Sequence, residues 1–301
     1  MRRTMAAEAL LAATAAGALY ARTLAPGVGA GDSGELLLAA DSLGVPHPPG
    51  YPLWTLLARA AAAIPAGTLA LRVNALSALL AAVAVGLLYL VARRFGAGRL
   101  GAASASALFA VSIPLWRVAV EAEVYGLAAI AFLVLLLAAR NARAAGTRGA
   151  RADALFGLAA GFAFLAHQTL AAPALVLAAW VLRRGFAWRR VARGAAWTAV
   201  GLSPALIVPW RVAEGAALLW KDRSPLQALA DVFTRQAYGA LAQNPWRLDL
   251  VVGDLAGMAG LVATGVGRYD VCDRSGFDLP ERYGRDLLAA LPRGATLVVD
   301  G

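Results

Sequence analysis

The run from Leu69 to Val91 decides the solvent in which this chain folds. It is apolar apart from Arg72, Asn74 and Ser77, and it has about the length that a helix needs to cross a hydrocarbon core roughly 30 Å thick. Arg93, Arg94 and Arg99 follow it, as basic residues flank a span on its cytoplasmic side. Inside a bilayer each backbone N–H and C=O must find its partner within the segment, so a run of this kind has to be a helix. The rest of the chain agrees: 15% of its 301 residues are charged and the mean hydropathy is +0.65, too little polar surface to coat a water-soluble fold of this size. The expected class is an all-α polytopic membrane protein.

Arginine clusters alternate with further apolar runs, and spans are expected at about 5–21, 69–91, 100–115, 122–139, 154–167, 169–182 and 195–210, with a weak one at 250–267. The first could be a cleaved signal peptide; retention is favoured because another membrane segment follows it. Basic clusters stand at both ends of 154–182, which requires an even number of crossings, and two short spans meeting near His167 meet that requirement. Together 1–267 reads as one transmembrane unit. Residues 268–301 differ in composition, with a helix expected at 283–291 and a strand at 296–299, and read as the start of a truncated post-membrane segment. The net charge of +10 does not point to nucleic acid, because the arginines sit in short clusters beside apolar runs. The lone Cys272 excludes an internal disulfide, and His47 and His167 are too few for a histidine-rich metal site.

Against this apolar background the first loop stands out. Gly31-Asp32-Ser33-Gly34-Glu35 and His47-Pro48-Pro49-Gly50-Tyr51-Pro52 place two acids, an imidazole and three prolines where neither core nor span requires them. Gly29 to Gly34 matches the spacing of a dinucleotide-binding loop, but no strand precedes it and no βαβ unit surrounds it. Asp32 and Glu35 have the spacing of a capping box at the start of a short amphipathic helix, 35–43; equally, Asp32 is placed to serve as a general base at the membrane surface. The prolines make 46–52 a rigid extended piece that holds His47 and Tyr51. Trp116 is expected at the interface, with Glu121 and Glu123 at the start of the returning helix, where the dipole favours acids. Ionisable groups at membrane depth are functional by default, which marks these acids and His167, although a hydrogen-bonded core histidine would also fit a helix break.

The motifs Gly-Asp-Ser-Gly-Glu (31–35), His-Pro-Pro-Gly-Tyr-Pro-Leu (47–53), Arg-Val-Asn (72–74) with Ser77, Glu-Ala-Glu-Val-Tyr (121–125), His-Gln-Thr (167–169) and Arg-Gln-Ala-Tyr-Gly (235–239) together resemble the DUF2723 family, which includes the TMEM260-type protein O-mannosyltransferases. The resemblance runs to about Trp246 and resumes at 283–301, without the further spans normally found between. It implies a GT-C-like transmembrane helix bundle and transfer of a mannose-like sugar, with inversion, from a polyprenyl-phosphate donor to a protein or glycan hydroxyl on the external side. Asp32 and Glu35 are then the expected catalytic acids. His47, Tyr51, Arg117, Glu121, Glu123, Tyr125, His167 and Arg211 are the expected substrate and lipid-phosphate residues, with His47, Arg117, His167 and Arg211 chosen as charge stabilisers by topological side. No metal ligand and no cofactor are expected, a divalent metal being the one alternative left open. The partners implied are the lipid-linked sugar, the hydroxyl acceptor and the bilayer, in a bacterial-type cytoplasmic membrane in preference to the endoplasmic reticulum. A transporter or flippase is the rival class, though its inverted repeats are not visible; a non-catalytic shortened family member is the other.

Overall fold

The computed structural model describes residues 2–216, 223–234 and 273–276, and every regular element among them is helical: α1 (Arg2–Arg22), α2 (Ser33–Ser42), α3 (Pro52–Ala62), α4 (Leu69–Arg94), α5 (Arg99–Ala110), α6 (Ile113–Ala119), α7 (Tyr125–Ala145), α8 (Ala150–Ala166), α9 (Ala171–Leu182), α10 (Trp188–Leu202), α11 (Ile207–Ala213) and α12 (Pro225–Thr234). Four segments among the described residues are long and apolar enough to cross a membrane: Thr4–Arg22, Leu69–Arg94, Tyr125–Arg148 and Trp188–Ala213. The chain is an integral membrane protein of the all-α class. Expected span 250–267, residues 268–301 apart from 273–276, Lys221 and the 235–239 motif lie outside the described residues.

Helix α4 is the hub, with α1, α5 and α7 packed against it. The tightest pair is α8 with α10, and it meets through glycine: a Cβ on Gly161 would stand 2.7 Å from the carbonyl carbon of Gly201. With lipid as apolar as any side chain, such helices associate by close backbone approach, which small residues permit.

The expected single span at 100–115 is broken. α5 and α6 meet at a bend of 59°, because Pro114 has no N–H to give the carbonyl of Ala110 and its ring would collide with that carbonyl. The Ala110 carbonyl instead accepts from the Tyr20 hydroxyl at 2.9 Å. The bend turns Trp116 inward: it is 4% exposed, packs with Tyr20, Val85 and Leu115, and donates its indole N–H to Thr23 Oγ1 at 2.9 Å. Trp116 is thus packed within the bundle by the bend.

The bundle has two unlike ends. At one, Arg93 and Arg94 finish α4, Arg143 lies in the last turn of α7, and Arg190 begins α10. Arg190 is more than a basic flank there. It is buried, pairs with the buried Asp153 at 2.8 Å, and donates to the carbonyls of Ala142 at 3.0 Å and Gly185 at 2.8 Å, while Arg193 reaches the other Asp153 oxygen at 3.1 Å. Removing one member of such a buried pair costs about 3–5 kcal/mol, because the other charge is left uncompensated. At the opposite end the irregular segments 23–32, 43–51, 120–124 and the turn at 167–170 come together.

Candidate active site

Loop 23–32 is tied down by polar groups that look out of place in the apolar α4. Asn74, fully buried, donates from Nδ2 to the carbonyls of Ala25 and Gly27, both at 2.9 Å. The amide of Ala25 donates to Val120 O at 2.9 Å, and the amide of Ala30 to Glu121 Oε2 at 3.1 Å. Gly29 lies so close to Glu121 that a Cβ there would fall 2.7 Å from the Glu121 Cβ and 2.9 Å from Ser33 Oγ. One turn further along α4, Ser77 Oγ accepts from the Glu123 amide at 3.1 Å, and the Glu123 carbonyl takes the Trp54 indole N–H at 3.0 Å. Glu121 and Glu123 thus precede α7, which begins at Tyr125, and their backbone is fixed by tertiary bonds in place of the expected helix start. Asn74, Ser77 and Trp54 are the supports that sequence reasoning does not assign. Two of them are marked in the sequence by being polar inside a membrane-length run.

Asp32 stands at the N-cap position of α2, but its side chain makes no capping bond. Glu35 does not complete a capping box either. Its Oε1 accepts from the His47 backbone N–H at 2.5 Å and its Oε2 from His47 Nδ1 at 2.7 Å. A tight turn, closed by Gly50 N–H to His47 O at 2.8 Å, presents the imidazole to Glu35. Here the Glu35 carboxylate makes two charge-assisted bonds where a capping box would give it one. The expected extended piece is therefore a turn that leads directly into α3, with Pro52 in its first turn, where a missing N–H costs nothing.

Because an ionised carboxylate only accepts, the proton between Glu35 and His47 belongs to Nδ1, and Nε2 is turned toward Asp32 Oδ2, 3.7 Å away. Side-chain exposure falls from 60% at Asp32 through 20% at Glu35 to 7% at His47, so Asp32 is the member that meets whatever enters. Burial works to lower the His47 pKa, but the Glu35 hydrogen bond and the charges of Glu35, Asp32 and Glu123 outweigh it and raise it. Burial, reinforced by the charges of Asp32 and Glu121, pushes the Glu123 carboxyl up to about 7.

A row of rings borders this cluster. Tyr51 meets His47 edge-on at 5.3 Å, Tyr51 and His167 lie 6.2 Å apart at 34°, and Tyr125 lies 5.5 Å from His167 at 32°. His167 ends α8, and its Nδ1 shares a 2.7 Å hydrogen bond with Thr169 Oγ1. Asp32, Glu35, His47, Tyr51, Glu121, Glu123, Tyr125 and His167 are thus brought to one end of the bundle. Two expected residues stand apart. Arg117 is exposed on α6, with no hydrogen bond or ion pair into the cluster among the described residues. Arg211 is occupied: Nε donates to Leu43 O at 3.0 Å, Nη2 to Ser42 O at 3.2 Å, and Nη1 pairs with Glu214 at 2.8 Å. It closes the C-terminal end of α2, where carbonyls lack helical partners and a cation is favoured. Asp32, Glu35 and His47 each offer one ligand atom within 4.8 Å of the others, the one group among the described residues with the donors to hold a metal ion.

Helices that are long and apolar enough to span a membrane, with a carboxylate and imidazole cluster at one end of the bundle, define a polytopic membrane protein with a polar site at one end of its helices. Residues 32–189 match the family described as the protein O-mannosyl-transferase TMEM260 N-terminal domain, and the chain belongs to that family. It is 33% identical over 236 residues to the mouse protein O-mannosyl-transferase TMEM260, covering 75% of this chain and 33% of the mouse protein. It is 30% identical over 112 residues to the Dictyostelium discoideum protein O-mannosyl-transferase tmem260, covering 36% of this chain and 14% of that one. The chain thus spans a third or less of the length of these curated relatives. No solved structure matches it.

Proposed function

We propose that this chain carries the catalytic end of a GT-C type membrane glycosyltransferase that moves a mannose-like sugar from a polyprenyl-phosphate donor to a protein hydroxyl, with inversion. The observation that carries this reading is the half-exposed Asp32 carboxylate set against a histidine whose orientation Glu35 fixes from behind. Asp32 takes the proton of the acceptor hydroxyl as its oxygen bonds to the anomeric carbon. The bond from that carbon to the donor phosphate breaks, and its electron pair leaves on the phosphate. Residues Tyr51, Tyr125 and His167 border the place where sugar and acceptor meet, their ring faces suiting the C–H faces of a pyranose. Both relatives named above are described as protein O-mannosyl-transferases, which supports the sugar and the acceptor. In this reading 1–267 forms the transmembrane unit and 268–301 begins a post-membrane segment. Arginines at the far end of the bundle favour the external face of a bacterial-type cytoplasmic membrane for the site.

Asp32→Asn tests it. The Asp32 side chain makes no capping bond, so the substitution removes none and helix α2 should be kept, while loss of a general base lowers turnover about 10²–10⁴-fold. The assay is transfer of radiolabelled mannose from polyprenyl phosphate into protein, in membranes that contain the full chain. An Asp32→Asn protein working at the wild-type rate would remove the mechanism and favour a transport role for the cluster.

A further inference from the structure

We propose that the groove between α1, α4 and α5 holds one glycerophospholipid from the leaflet at the arginine end of the bundle, with its phosphate on Arg99 and an ester carbonyl on the Ser106 hydroxyl. The groove lies away from the acidic cluster, and the proposal does not depend on the transferase reading. Three observations lead to it.

The first is a hydroxyl with nothing to bond. Ser106, midway along α5, lines a groove of about 620 Å³. It is 1% exposed, and among the described residues its Oγ has no hydrogen-bond partner. Asn74 and Ser77, the polar exceptions of α4, both bond the backbone of packed loops. Leaving a buried polar group unpaired costs free energy, and an occupant that brings an acceptor into the groove recovers it.

The second is length. The groove runs from Glu8 to Leu19 along α1 and from Arg99 to Val111 along α5, about 17–18 Å at the rise of a helix. It ends at the 59° bend between α5 and α6. A further spanning helix would need a seat of roughly 30 Å, whereas one leaflet with its headgroup region measures about 20–22 Å. The groove therefore suits a lipid of one leaflet and is too short for another span.

The third is the depth of the polar groups. At the mouth, Glu8 accepts from the Tyr89 hydroxyl at 2.5 Å and pairs with Arg99. The Arg99 side chain is 70% exposed and, among the described residues, engages Glu8 through Nη2 alone, which leaves Nε and Nη1 for a phosphate, an anion that guanidinium binds well. Arg93 and Arg94 stand at the same end. Ala102 marks this level on α5, since it packs with Ala9 and Tyr89. Ser106 follows one turn deeper, about 6 Å. The headgroup region of a leaflet is about 5–7 Å deep, so a phosphate on Arg99 sets the ester carbonyls at the depth of Ser106. Beyond that point the walls are apolar, with Ala15, Leu19, Ala107 and Val111 to receive an acyl chain.

The test uses the purified full chain, delipidated in detergent and titrated with palmitoyl-oleoyl phosphatidylglycerol, bound lipid being counted by native mass spectrometry. A diether phosphatidylglycerol, with the same phosphate but no ester carbonyl, is the second probe. The expected result is one retained lipid per chain. Wild type should hold the ester lipid about 2–10-fold more tightly than the diether, as one neutral hydrogen bond gives, and Arg99→Gln should weaken both about tenfold or more. In Ser106→Ala the two lipids should bind alike, while the melting midpoint without lipid should not fall, because the hydroxyl removed bonds nothing in the protein. Ala107→Phe fills the groove and should release the lipid. No retained lipid, an ester preference that is absent from wild type or persists in Ser106→Ala, or a lipid that Ala107→Phe leaves in place overturns the site. A dimer that Ala107→Phe dissociates overturns it as well and gives the groove to a second copy of the chain.

Discussion

Replacing Glu35 by glutamine exchanges one oxygen for an amide and tests the site at its support. As a capping-box residue Glu35 would tolerate the change, since Gln serves at that position as well. In the structure both of its oxygens accept from His47, at 2.5 Å from the backbone and 2.7 Å from the ring. Glutamine can keep one of these bonds. Its NH₂ then faces Nδ1–H, donor against donor, and the ring resolves the conflict by moving its proton to Nε2. The ring also loses the carboxylate that held its Nδ1 proton, and with it the orientation that sets it beside Asp32. A hydrogen bond to a charged group contributes about 1.5–3 kcal/mol, and each 1.36 kcal/mol is tenfold in rate, so turnover should fall about 10–100-fold. Transfer of labelled mannose in membranes measures it, with the melting midpoint of purified protein as the control for folding. Glu35→Gln turning over like wild type, while Asp32→Asn is inactive, would show that His47 needs no such support and that the geometry argued here is incidental.

Asn74→Leu keeps the shape of an apolar helix but leaves the carbonyls of Ala25 and Gly27 without their donor. Two unsatisfied buried groups cost about 2–6 kcal/mol, and a melting midpoint within a degree of wild type would contradict the role given to Asn74. The Glu123 carboxyl is raised from its ordinary 4.5 to about 7, so between those values the native chain holds a proton that the unfolded chain has released. Its stabilising share is full below pH 4.5 and is lost as pH rises to about 7; Glu123→Gln should flatten that part of the midpoint-against-pH curve, and two parallel curves would refute the shift. Finally, in a Cys272→Ser background, Gly34→Cys and Arg148→Cys, both at exposed positions, should label from opposite sides of the membrane, as the arginine distribution requires. Labelling from one side would dismantle the proposed topology.

Much of the site is legible in the amino-acid sequence itself, because a polar residue in a chain this apolar needs a reason. Asp32, Glu35, His47, Glu121, Glu123 and His167 stand out in that way, and all lie at one end of the bundle. What each of them touches is less legible. The spacing of Asp32 and Glu35 is the same whether Glu35 caps its own helix or binds a ring twelve positions away, and only the turn at 47–50 chooses between them. Arg190 is hidden among the flanking arginines around it, since burial beside Asp153 is a property of packed helices and not of composition. The break in 100–115 has a local signal in Pro114 that the hydropathy of the run masks. Asn74 and Ser77 are visible as exceptions in α4, but their partners come from loops 46 to 49 positions away.

The clamp of Arg211 on the end of α2 bears on the order in which the protein is made. Its bonds to Ser42 and Leu43 join positions 169 and 168 residues apart, and synthesis proceeds from the N-terminus. The helix that carries Asp32 and Glu35 therefore enters the membrane with its far end open, and stays so until α11 has been inserted. A ribosome-bound intermediate that ends before Arg211 has every acid of the site and no lock upon it. The lock at the reactive end is thus set only after α1 to α10 have been made, when those helices are already in place to restrict what can reach it.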